Sequence, residues 1–185
     1  MSGFVGSQFT NSGVIGKPVL GTVTAGNISH ADIVYPVGHI VQVVNVQTGT
    51  VATGTGTIPD DNTIPQNTEG NEWMTLSITP TSATNKLLIQ SFANVAQDAS
   101  QHHTLALFQD TTANALAATF GHKDDIYGQT TTLAHYMTAG TISSTTFKVR
   151  SGKGTAGTST FNGWSANAKY GGVMASSITI TEIKA

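Results

Sequence analysis

Six histidines, ten acidic residues and no cysteine delimit the chemistry open to this chain. Without cysteine there are no disulfides, thiolate metal sites or thiol nucleophiles. The histidines are His30, His39, His102, His103, His122 and His135. Adjacent His102 and His103 point to opposite faces of a strand and do not chelate one ion together. A three-histidine site would have to converge from different strands. The expectation is surface histidines, or histidines at an oligomer axis, and no metal. Asp60-Asp61-Asn62 and Asp124-Asp125 offer oxygens of the kind calcium takes, but acidic pairs in turns usually cap the turn. Glycoside cleavage needs two carboxylates flanking one bond, and the acids here fall mostly in predicted loops. No Ser/His/Asp set with a nucleophile elbow is present. Neither catalytic residues nor a cofactor are expected.

Gly152-Lys-Gly-Thr-Ala-Gly157 has the spacing of a dinucleotide fingerprint. That fingerprint works by presenting a pyrophosphate to a helix N-terminus. Here Thr158–Gly163 is strand-like and no βαβ unit surrounds it, so the run reads as a Gly-rich hairpin loop. Exposed aromatics are the better clue. Trp164 and Tyr170 lie in the polar stretch Asn162–Gly172, and Tyr127 lies in a similar one. Such rings stack on sugars or fill partner pockets, and they equally cap sheet edges. Tyr127, Trp164 and Tyr170 are the candidate receptor- or glycan-binding residues.

The elements that must hold them are strands. Charged residues make up only 10% of the chain and the net charge is −2, while Thr is the commonest residue. Thr and Gly disfavour helix, and Thr suits a pleated, half-buried surface. The charge balance gives no footprint for nucleic acid. No apolar run approaches the roughly 20 residues of a membrane span, and the start lacks the pattern of a signal peptide. A soluble protein made in a reducing cytoplasm is expected.

Ile40–Val46 is β-branched and strand-like, and a long polar stretch follows to about Glu72, in which Thr50, Thr53, Thr55 and Thr57 suit an exposed hairpin. Met74, Leu76 and Ile78 alternate with polar neighbours. Lys86–Val95 is apolar on both faces, which predicts a central strand covered twice. Leu105 and Leu107 mark another strand, and Leu133 opens one near Met137. Phe147 and Val149 face away from Lys148 and Arg150. Ser177–Thr181 alternates strictly. Ala113–Ala118 permits a helix but is too short for one. Short strands with Gly-rich turns predict an all-β, jelly-roll-like antiparallel β-sandwich over residues 39–185. Residues 1–38 are broken by glycines and prolines and carry isolated apolar pairs. They predict an extended N-terminal docking arm with contacts through Val14, Ile15, Val19 and Leu20.

The run Leu76-Ser-Ile-Thr-Pro-Thr-Ser-Ala-Thr-Asn-Lys-Leu-Leu-Ile89 resembles a strand–turn–strand module of tailed-bacteriophage tail-fibre and related virion surface proteins. Thr146–Arg150, Gly157-Thr158 and Ser176–Ile183 resemble it too, in the same order, over roughly residues 40–183. The resemblance implies a β-sandwich ending in a C-terminal strand, assembled as a trimer, and supplies no catalytic residues. Strand faces of Thr, Ala and Val, with little charge, also pack well against copies of themselves. The expected protein is a non-enzymatic homotrimer on a phage virion, assembled in the host bacterial cytoplasm. Its implied partners are other virion proteins, of the tail or the major capsid, and a host surface glycan. The favoured role is a short tail fibre or receptor-binding tip. The alternative is a capsid decoration (cement) protein whose arm clamps capsid subunits, since the chain has no fibre shaft.

Overall fold

In the computed structural model, residues 35–121 and 128–185 are described. Val14, Ile15, Val19, Leu20, Tyr127, His30, His122 and the pair Asp124-Asp125 lie outside them. The strands in order are β1 (Ile40–Thr48), β2 (Ala52–Gly54), β3 (Asn71–Ile78), β4 (Lys86–Gln97), β5 (His103–Gln109) and β6 (Ala117–Phe120). They continue with β7 (Gln129–Thr138), β8 (Thr145–Lys153), β9 (Ser159–Phe161), β10 (Gly163–Trp164), β11 (Asn167–Ala168) and β12 (Ser176–Ile183).

One sheet runs β1-β12-β4-β7, and the other runs β3-β8-β5-β6, with antiparallel pairing throughout both. Setting aside the short β2, β9, β10 and β11, the strands are joined first–eighth–third–sixth and second–seventh–fourth–fifth. That order is a jelly roll. The sandwich is held by the inward faces of both sheets. Leu87, Ile89, Val95, Leu133, Ile178 and Ile180 come from one, and Met74, Ile78, Leu105, Leu107, Phe147 and Val149 from the other. Each such side chain contributes about 1.5–3 kcal/mol when fully buried. A bulge between Glu72 and Met74 turns Trp73 inward as well, where it stacks on Phe161 at 5.2 Å between ring centroids.

The strand covered on both faces is β5, not β4. Leu105 and Leu107 face the main core, while Ala106 and Phe108 join Ile58 and Ala115 in a second small cluster. The polar stretch after β1 supplies that cover and is no hairpin. Its β2 pairs with β9, and Ile58 N donates to Lys153 O at 2.9 Å. The outer face of β4 is open instead, leaving Phe92 46% exposed. Ala113–Ala118 is turn and strand, with no helical residue. The Gly152–Gly157 run is not a hairpin either, because it carries the chain from β8 in one sheet to β9 in the other. Gly152 is needed there: a Cβ would lie 2.7 Å from Gly56 O.

Past the first residues of β12, β4 changes partner. Its residues 86–92 pair with β12, and Val95–Gln97 pair with β9. Ser176 bridges the gap, accepting from Asn94 N at 2.9 Å and donating to Asn162 Oδ1 at 2.6 Å. Asn162, buried and at φ 54°, donates its amide to Thr48 O at 2.7 Å. This junction launches the β10–β11 hairpin.

Candidate ligand-binding cleft

The β10–β11 hairpin turns on Ser165 and Ala166, at φ 51° and 62°. A two-residue turn with both φ positive matches the right-handed twist of its strands, and Asn-Gly is its preferred sequence. Ser and Ala pay a steric cost there of about 1–2 kcal/mol per residue. Gly163 beside it is obligatory, since a Cβ would approach Asn167 O to 2.3 Å. Ala166 N donates to Thr160 Oγ1 at 3.2 Å, which docks the turn on β9.

Between this turn and the end of β4 lies a cleft of about 340 Å³, lined by Gln97, Asp98, Thr158, Thr160, Trp164, Ser165 and Ala166. Its size falls at the lower end of small-ligand sites. Register brings the walls together, because Gln97 pairs with Ser159 and the chain then turns through Asn162 into Trp164. The ammonium of Lys169 stands 4.6 Å from the centroid of the Trp164 ring, over one face of the indole.

Asp98 supplies the charge. Its carboxylate accepts from Lys153 Nζ and, at 2.7 Å, from Thr158 N. The Lys153 bond holds the carboxyl below the usual carboxylate range, against the opposing effect of burial and with help from Thr158 N. The Lys153 side chain is 3% exposed and that of Asp98 44%, so the acid faces the cleft and the base lies behind it. Gln97 is 3% exposed. Its Oε1 accepts from Ser159 Oγ at 2.9 Å, but its Nε2 has no hydrogen-bond partner. The cleft therefore combines an aromatic surface, an anionic acceptor and hydroxyls, while the Gln97 side chain turns to the core side of the sheet with Val95 and Phe161.

Of the aromatic candidates among the described residues, Trp164 lines this cleft and Tyr170 does not. Tyr170 is 80% exposed in a 3-10 turn at Tyr170–Gly172. The remaining lining residues were not singled out by sequence reasoning. Gln97 and Asp98 carry no local motif. The Asn162–Ala168 stretch carried one usable signal, a compact polar turn around a Trp.

The histidines diverge. His103 is buried and its Nε2 lies 2.6 Å from Thr131 Oγ1, while His102 Nδ1 lies 3.1 Å from Asp60 Oδ2. Among the described residues, no three metal-ligating side chains converge. Asp61 caps its own turn, accepting from Thr63 N and Oγ1 at 2.7 and 2.6 Å.

No family model matches the chain, and no curated protein matches it. Among solved structures it is similar to the EclA C-terminal domain, a sugar-binding protein, at 17% identity and TM-score 0.33, covering 76% of this chain and 86% of that one. It is also similar to the structure of the infectious bursal disease virus Gx strain, at 10% identity and TM-score 0.38 over 77% of this chain and 36% of that one. The infectious bursal disease virus VP2 subviral particle is a further neighbour, at 10% identity and TM-score 0.31, over 79% and 39%. The chain thus spans little more than a third of each viral protein.

Proposed function

We propose that this chain is a non-enzymatic attachment protein on the surface of a tailed-phage virion, a short tail fibre or receptor-binding tip that holds a host surface glycan in the Trp164 cleft. The observation that carries the reading is the placement of Trp164 and the charged Asp98 in one cleft. Sugars present C–H faces that pack on an indole and hydroxyls that donate to a carboxylate. Among the described residues the lining holds one carboxylate, engaged by Lys153, whereas glycoside cleavage takes two, and this favours retention of a glycan. The virion context rests on the resemblance of residues 76–89 and 176–183.

Assembly as a homotrimer is part of the proposal. The open sheet face carries Val43, Phe92 and Tyr136 among Thr and Ser residues, and it suits packing against a copy. Trp164→Ala should abolish adsorption to host cells while particles stay intact. Normal adsorption by that variant overturns the cleft's role. Antibody labelling of particles should mark the tail tip. Label over the head would replace this reading with capsid decoration through the arm of residues 1–38.

A further inference from the structure

We infer that the glycan taken by the cleft is acidic, and that Lys169 binds its negative group. The inference rests on the glycan reading above and names its substrate class. Lys169 follows β11 and is half-buried, with its ammonium 4.6 Å from the centroid of the Trp164 ring. Among the described residues no carboxylate pairs with it. The other two charges at the cleft, Asp98 and Lys153, pair with each other. One positive charge is therefore left over, beside the ring on which a sugar would stack.

The sequence around Lys169 leaves that charge uncompensated. From Gly154 to Thr181 there is neither aspartate nor glutamate, and Lys169 is the sole charged residue. The chain as a whole carries a net charge of −2, so this local excess runs against its overall sign. Packing on the indole also takes up much of the freedom of a lysine side chain, which sets the ammonium in place before a ligand arrives. An ammonium donates hydrogen bonds and accepts none. Its strongest partners are ionised oxygens, those of a carboxylate or a phosphate. A sugar ring resting on Trp164 brings its substituents within reach of that donor.

Asp98 does not oppose this assignment. Its carboxylate already accepts from Lys153 Nζ and from Thr158 N, and it makes no ion pair with Lys169. A sugar with hydroxyls along one edge and an acid at the other satisfies both residues. The hydroxyls donate to Asp98 and the acid turns toward Lys169. The two residues together thus fix which way round the ring lies on Trp164.

The test is titration calorimetry of the full chain at low ionic strength. The probes are a glucuronic-acid oligosaccharide and a phosphodiester-linked glycan, each against its neutral parent. An acidic probe should bind about tenfold more tightly than its parent, and the one that does so tells carboxylate from phosphate as the group bound. The preference should fade at roughly 1 M salt, where the Debye length is about 3 Å. Lys169→Met keeps the aliphatic cover of the indole; it should erase the preference and leave the parents' binding in place. Lys169→Arg should retain it. The salt dependence is read on the unaltered protein, which keeps the test open if a variant fails to fold. Parents that bind as tightly as both acids overturn the acidic assignment and leave the glycan reading standing. A preference that survives in Lys169→Met overturns the part given to Lys169. No binding to any sugar, acidic or neutral, overturns the glycan reading itself.

Discussion

Asn85 Nδ2 donates to Glu182 Oε1 across 2.6 Å, joining the turn after β3 to the last strand of the chain. Thr81 adds two bonds to the same oxygen, from its N at 2.9 Å and its Oγ1 at 2.8 Å. Gln42 Nε2, on β1, reaches Oε2 at 2.6 Å. Glu182 has no exposed surface. A buried carboxylate survives when its lone pairs are filled, and here four donors fill them. Burial by itself would raise its pKa, but the bonds from Asn85, Gln42 and Thr81 outweigh burial and leave it below the ordinary value.

Glu182→Gln should therefore destabilise the fold by about 2–3 kcal/mol, because one acceptor oxygen becomes a donor facing donors. The urea midpoint at neutral pH measures it. An unchanged midpoint would show that the bonds contribute nothing net. Because the folded pKa lies below the unfolded one, this contribution is present above the unfolded carboxylate range and is lost as pH falls through the folded value.

His103 acts at higher pH. Burial, and then the neighbouring charge of His102, lower its pKa from 6.5 to about 4. Between those values the unfolded chain binds a proton that the folded one refuses, so stability falls as pH drops from 6.5 toward 4 and levels off below. The shift corresponds to roughly 3 kcal/mol at most. Chemical denaturation at a series of pH values should show this slope, and His103→Gln should flatten it. A slope unchanged in the variant would assign it to other groups.

The strained turn gives a prediction of mixed sign. Ser165→Asn together with Ala166→Gly should raise stability by about 1 kcal/mol, since both residues then suit positive φ. Sugar binding should weaken several-fold, because both substituted residues line the cleft. Greater stability with unaltered binding would make the turn a purely structural feature.

Period-two patterning made the frame readable: Phe147 and Val149 go inward from β8, and Ile178 and Ile180 from β12. It misled for β4, where Leu88 and Phe92 look like a second core face but meet none. The reverse held for Arg150, an outward residue by alternation. Its guanidinium donates to Glu69 O at 2.7 Å and Gly70 O at 2.8 Å, tying down the polar stretch. Those acceptors are backbone carbonyls some eighty residues upstream, which no local pattern encodes. The cleft was half legible for the same reason. Trp164 stands out in its segment, but Asp98 and Thr158 are 60 residues apart and meet only through the register of β4 and β9.

The hand-over at Ser176 has a consequence for how such a protein diversifies. The eight long strands close on themselves through β12 and Glu182, while Gly163–Ala168 hangs from a separate short ladder. Changes in the hairpin leave the register of the long strands untouched. Selection on what the molecule recognises can therefore run independently of selection on whether it folds, with the hairpin as an exchangeable cassette on a separate chassis.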